Sequence, residues 1–277
     1  MTNPLSKHYR QPQLWITLPS LGKFYPEGTI DYPQSGEVPV YSMTAKDEIL
    51  FKSPDALLNG EATKLVIESC VPAIKNAWMM PAIDIDAILI AIRRATYGNE
   101  MEFSTNCPHC ETVNDSAIDL SVVSDAITIP DYSETLEIQG LRFVFRPLTY
   151  LTFNQTNLEN FKRQQNLAVL ADESLTEEQR RRSFSEMFVK IVNDNMSTIA
   201  EAVDYIITDE GERVTDHKLI TEFFENCDGR LFDQITKHIE QLNERNRLKP
   251  LKLQCSNPQC GKTFQSTLTF EQSNFFV

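Results

Sequence analysis

Six cysteines occur in the 277 residues, and four of them fall into two short pairs. Cys107-Pro108-His109-Cys110 lies in the first half of the chain, and Cys255-Ser256-Asn257-Pro258-Gln259-Cys260-Gly261 lies near its end. A tight turn holding two cysteines two to four residues apart can aim both thiolates at one ion. Two such turns supply the four sulfurs of a tetrahedral zinc site. Four thiolates also fill the coordination shell and leave no place for a reacting water. The chemistry expected of Cys107, Cys110, Cys255 and Cys260 is therefore to hold a structural Zn2+. A C-x2-C pair alone also serves redox chemistry, but that form sits at a helix start. Here strand-like segments flank the turn and Pro108 lies inside it. An iron–sulfur cluster or two unrelated reduced pairs are the alternatives. His109 could replace a cysteine as ligand, although its place inside the turn favours a side chain facing solvent. Cys70 and Cys227 stand alone on apolar helix faces and read as ordinary buried thiols. No positively charged, apolar leader opens the sequence, so reduced cysteines are expected rather than disulfides.

The elements that would position the sulfurs are two hairpins. Lys252-Leu253-Gln254 enters the second pair, and Thr263 to Phe270 leaves it with alternating apolar residues, the pattern of a half-buried strand. Met101 to Ser104 enters the first pair and Glu111-Thr112-Val113 leaves it. The two hairpins read as halves of one zinc ribbon, with everything from about Val113 to Leu251 inserted between them. Closing the 144 residues between Cys110 and Cys255 costs roughly 4–5 kcal/mol beyond a constant term. A structural zinc typically returns on the order of 10–16 kcal/mol, enough to hold the two ends together.

Around this module the sequence predicts an α+β chain. Residues 1–42 form an extended N-terminal arm, 43–100 a helical region, 101–125 with 249–277 the zinc-ribbon-like module, and 126–248 a hairpin followed by a mainly helical insert. In the arm, Leu14 to Leu18 could pair as a strand. The aromatics Tyr9, Trp15, Phe24, Tyr25, Tyr32 and Tyr41 need something to bury against, either this chain's own core or a neighbouring subunit. Thr44-Ala45-Lys46-Asp47 has capping-box spacing, and Ser53-Pro54-Asp55 reads as a helix start. The clearest helix is Asp84 to Tyr97, with Asp84 and Asp86 at its positive end and Gly98 as C-cap. Apolar Ile90 and Ala91 lie outside its main stripe, which predicts burial on more than one side. Ile127 to Pro130 could form a short strand, and Leu136 to Phe145 a hairpin about Gln139-Gly140. A helix from Thr149 to about Leu170 follows. Another begins at the capping box Thr176 to Gln179 and carries Phe184, Met187, Phe188 and Ile191 on a face that reads as core. Arg180, Arg181 and Arg182 read as a solvated face with local ion pairs. A small hairpin about Asp209-Glu210-Gly211 and two short helices, one bearing Leu219 to Phe224 and one Leu231 to Leu242, complete the insert.

The formal charge is −13, from 26 basic and 39 acidic residues. Such a surface repels phosphate overall, so protein partners are expected and nucleic acid or an anionic membrane is not. The longest apolar run, Ala87 to Ile92, is far too short to span a bilayer. No glycine-rich phosphate cradle and no H-E-x-x-H occurs, and none of the four histidines has a nearby serine or cysteine in a nucleophile motif. Nothing in the sequence requires an enzyme.

Several stretches carry a family likeness. They are Leu18-Pro19-Ser20-Leu21-Gly22-Lys23-Phe24-Tyr25, Thr44-Ala45-Lys46-Asp47-Glu48, Pro54 to Gly60, Asp84 to Arg93, Tyr97-Gly98 and the first cysteine pair. In that order, over residues 14–120, the chain resembles the baseplate hub and hub-assembly proteins of T-even-type contractile-tailed bacteriophages. The resemblance implies a virion or virion-assembly protein without catalytic activity, located in the tail baseplate and in the host cytoplasm during assembly. Its partners would be other phage baseplate or tail proteins. The competing reading is a zinc-ribbon adaptor that binds nucleic acid or the transcription machinery, against which the −13 charge weighs.

Overall fold

The computed structural model describes residues 3–52, 60–128, 131–170, 177–245 and 250–266. Among these, eight helices and ten short strands in small antiparallel sheets make the chain α+β. The backbone forms two units, Met1–Ile129 with Asn246–Val277, and Pro130–Arg245.

The first unit is built on the most apolar helix. Strand β1 (Pro12–Ile16) pairs with β2 (Val38–Tyr41), and α1 (Ala45–Phe51), α2 (Glu61–Cys70) and α3 (Ile85–Tyr97) follow. Thr44 caps α1 through the predicted reciprocal box with Asp47. Along α3, Ile85 and every residue from Ala87 to Arg93 are buried, so this helix is covered on several sides, as Ile90 and Ala91 led us to expect. Leu18, Val38, Val40, Val66, Ile67, Ile74 and Met80 are buried in the same unit.

The irregular stretch between β1 and β2 is held by a polar residue. Asp84 is fully buried just before α3. Its carboxylate accepts hydrogen bonds from the Ser20 backbone N–H (2.7 Å), the Ser20 hydroxyl (2.6 Å) and the Tyr25 hydroxyl (2.9 Å). The loop it grips carries Leu21 and Gly22 at φ 54° and 73°. At Gly22 a Cβ would lie 2.5 Å from the Tyr32 ring, so only glycine suits this place. We expected Asp84 to sit at the positive end of the helix. It makes no capping bond there, because three donors from the loop claim its oxygens. Arg10 ties down the start of the arm. Its guanidinium donates to the Ser42 carbonyl, the Ser69 carbonyl and hydroxyl (2.7 and 2.8 Å) and Asp47 (3.4 Å). The arm's aromatics divide. Tyr25 and Tyr32 bond to their own unit, while Tyr9 and Trp15 are exposed.

Strands β3 (Glu100–Asn106) and β4 (Val113–Asp119) form a hairpin, followed by α4 (Leu120–Asp125), a short helix capped by Asp119 that the sequence reading omitted. The Ile127 N–H donates to the Ser124 carbonyl, so Ile127 lies in the turn that follows this helix, and positions 129–130 of the expected short strand lie outside the described residues.

In the second unit, β5 (Thr135–Ile138), β6 (Leu141–Phe145), β7 (Val203–Ile207) and β8 (Arg213–Val214) form one antiparallel sheet in sequence order. Helices α5 (Tyr150–Leu170), α6 (Glu177–Glu201), α7 (His217–Asn226) and α8 (Gly229–Arg245) accompany it. Phe143 and Phe145 are buried, as are Ile220 and Phe224 of α7 and Leu231, Ile235, Ile239 and Leu242 of α8. Helices α5 and α6 run antiparallel and are bridged by Arg163–Asp194 (3.0 Å) and Lys190–Glu159 (2.9 Å). The stripe on α6 departs from expectation, because Phe184 and Phe188 are 54% and 56% exposed. A helical period shows that a face is apolar but cannot say what lies against it. Arg181 and Arg182 are exposed, as a solvated face requires. The expected helix start at Ser53-Pro54-Asp55 and the capping residue Thr176 lie outside the described residues, as do positions 267–270 of the last predicted strand.

Burial pushes the Asp84 carboxyl up to about 6 despite its three hydrogen bonds. A carboxylate whose folded pKa lies above its unfolded value costs stability above the folded pKa, and that cost is relieved as pH falls through it. Asp84→Asn removes the titration and keeps the shape. In urea unfolding, the wild-type chain is expected to gain stability relative to Asp84→Asn between about pH 7 and about pH 5, opposite to the usual carboxylate trend. A difference independent of pH contradicts the assignment.

Candidate metal centre

The two cysteine turns are built alike. Hairpin β3–β4 stays paired up to Asn106 and Val113. There the Cys107 N–H donates to the Thr112 carbonyl (2.9 Å) and the Glu111 N–H to the Cys107 carbonyl (2.8 Å). Hairpin β9 (Leu251–Gln254) and β10 (Thr263–Ser266) is paired up to Gln254 and Thr263, where the Cys255 N–H donates to the Lys262 carbonyl (3.0 Å). The N–H groups of Cys260 and Gly261 both donate to the Asn257 carbonyl at 2.9 Å. In each turn the residue after the second cysteine is left-handed, Glu111 at φ 59° and Gly261 at φ 54°. Glycine takes that conformation freely and glutamate does not.

These turns bring all four predicted residues together. Cys110 Sγ lies 3.5 Å from Cys255 Sγ, and Cys107 Sγ 4.0 Å from Cys260 Sγ. All four sulfurs lie within 4.8 Å of one another. A tetrahedron with Zn–S bonds of about 2.3 Å has sulfur–sulfur edges of about 3.8 Å, inside the observed range. The separations far exceed a disulfide bond of about 2.05 Å, and all four cysteines are free. His109 is exposed. Cys70 is buried beside Arg10, at 3.6 Å from its guanidinium, and neither it nor Cys227 belongs to the cluster.

The support beneath the sulfurs contains residues the sequence reading passed over. Phe264 is buried with Cys107 and Cys255, and Leu253 packs against them. Asn114 is 2% exposed. Its amide donates to the Thr112 carbonyl (2.8 Å), and its oxygen accepts from the Ser256 N–H (2.6 Å). One buried amide thus joins the first turn to the second. The Asn257 amide reinforces it by donating to the Thr112 hydroxyl at 3.2 Å. The available clue was an asparagine at an inward position of an alternating strand, where asparagine is disfavoured unless it has work to do.

The sulfurs are electrostatically unequal. Hydrogen bonding to the Thr112 hydroxyl and N–H brings the Cys110 thiol down to about 6, whereas burial pushes Cys255 up to about 12 against the opposing Asn257 N–H. Backbone N–H groups aimed at sulfur favour the thiolate, the form that binds metal.

The model of the T4 bacteriophage base plate protein family matches residues 18–277. This chain belongs to that family. The match begins at the loop gripped by Asp84 and runs past the second cysteine pair. It therefore covers the second unit and the metal centre as well as residues 18–120 of the stretch that carries the resemblance. Neither a curated protein nor a solved structure gives a significant match. The family places the chain in the phage baseplate, among other tail proteins, in a structural role. Among the described residues no helix is long and apolar enough to cross a membrane.

Asn114→Ala removes the buried amide that accepts from the Ser256 N–H and donates to the Thr112 carbonyl, and a loss of about 1 kcal/mol is expected in denaturant unfolding. Glu111→Gly relieves a left-handed glutamate and should raise stability by roughly 1 kcal/mol. If Asn114→Ala has no effect, the amide is not the bridge described.

Proposed function

We propose that the chain is a hub or hub-assembly component of a contractile-tail baseplate, acting by protein–protein contact, with one structural zinc bound by Cys107, Cys110, Cys255 and Cys260. Family membership over residues 18–277 supports the baseplate role, and the convergence of four sulfurs within 4.8 Å supports the metal. We take the work to be assembly rather than catalysis, carried out in the host cytoplasm until the baseplate is complete.

The donor set fits zinc. Four cysteine sulfurs surround room for one ion, too little for a cluster of several irons and sulfides. Bound there, the ion supplies a cross-link and no reaction, since no coordination position stays open. The organisation we infer has an arm at 1–42, a helical region at 43–100, a zinc-ribbon-like module at 101–125 and 249–277, and between them an insert at 126–248. The ion would close the chain at the two ends of that insert. The nucleic-acid adaptor reading is disfavoured by the −13 charge. Along the β3–β4 hairpin, Glu100, Glu102, Asp115 and Asp119 are exposed and repel phosphate.

Cys110→Ser or Cys260→Ser should give a chain cleaved far faster by protease than the wild type, because breaking the site releases the loop it closes. A double variant as resistant as the wild type removes the metal from the account. Quantitative mass spectrometry of tails and tail intermediates from infected cells is expected to find the chain with the other baseplate proteins. Its absence from both contradicts the baseplate role.

A further inference from the structure

Arg93 lies in α3, one turn before its last residue Tyr97, and is 8% exposed. Its Nε and Nη1 atoms are buried and have no hydrogen-bond partner among the described residues. The guanidinium stacks over the Tyr97 ring, with its carbon 4.6 Å from the ring centroid. Burial lowers its hold on its proton, and the neighbouring Tyr97 phenol works against that shift. Buried charges in folded chains are paired, because desolvation costs several kcal/mol that only an opposite charge or good hydrogen bonds offset. A ring face attracts the cation at its flat side but leaves the in-plane N–H groups unused. The partial negative charge at the end of α3, about half a unit, likewise accepts none of them. Arg10, elsewhere in the unit, shows the contrast, since its guanidinium is spent on Ser42, Ser69 and Asp47.

Tyr97, which stacks on the guanidinium, is itself 43% exposed, and its hydroxyl meets Glu48 at 3.5 Å. An arginine and an exposed tyrosine together make the residue pair in which interface binding energy concentrates. We propose that Arg93, uncovered by displacement of the Tyr97 ring, receives an aspartate or glutamate side chain of another baseplate protein, a contact that rests on the baseplate role above. A carboxylate matches the planar fork of donors, so both oxygens are held at once. The desolvation of the cation has already occurred in the free chain, which leaves the partner to complete a pair rather than to bury two charges. A polyanion is a poor occupant, because the chain's −13 charge opposes it, whereas a single acidic side chain on a complementary protein surface is not so opposed.

The test uses the full chain, tagged and co-expressed with the other tail proteins of its phage. Arg93→Met keeps the stem and removes the cation, while Arg93→Lys keeps the charge and loses the fork. In the isolated chain, Arg93→Met is expected to leave the melting temperature unchanged or raise it, since a lone buried charge disappears. Retention of the partner should fall by at least about tenfold with Met and nearly as much with Lys. Arg93→Glu should lose the partner and regain it when one acidic residue of that partner is changed to lysine. A melting temperature lowered by several degrees in Arg93→Met shows a cation needed by the fold and overturns the proposal. Equal retention by wild type and Arg93→Met also overturns it, as does loss of wild-type retention in millimolar inorganic phosphate but not in acetate at equal ionic strength. If the wild-type chain retains no tail protein, the baseplate role fails first and this contact falls with it.

Discussion

Four sulfurs from two distant parts of the chain meet within 4.8 Å, and that convergence is the constraint on which the architecture rests. Each contributing hairpin is a two-stranded ribbon, a structure that is marginal in water by itself. What joins them is a small apolar contact about Phe264 and a few hydrogen bonds through Asn114 and Asn257. Against the entropy of closing 144 intervening residues, roughly 4–5 kcal/mol or more, so small an interface is weak. An ion bound by all four thiolates would change the balance by more than that cost, which is why we assign the closing of the chain to a metal rather than to packing.

The same unit uses polar groups in place of packing wherever its backbone is irregular. Asp84 grips the loop about Ser20, and Arg10 fastens the arm to α1 and α2. Both replace regular backbone pairing with charge-assisted hydrogen bonds to main-chain groups, the stronger class of such bonds. In a protein whose family builds the phage baseplate, a rigid irregular surface has a use, because contacts between subunits need shape held in place before the partner arrives.

The sequence disclosed those features that depend on local spacing. The cysteine pairs, the Thr44 box, helix α3 and the hairpin at Gln139-Gly140 were legible because period, cap and turn residues are set within a few positions. It hid features that depend on distant partners. Asp84 resembles a helix-dipole residue until Ser20 and Tyr25 are placed beside it. Asn114 reads as a poor strand residue until Ser256 arrives from 142 positions away. Phe184 and Phe188 look like core because a period reports a face and not its cover.

The central claim is that one ion draws the two hairpins together. X-ray absorption at the zinc edge on protein purified without added metal tests it most directly. One zinc per chain with four sulfur neighbours at about 2.3 Å is expected. A folded chain that holds no metal, or a metal bound through nitrogen and oxygen, would contradict it.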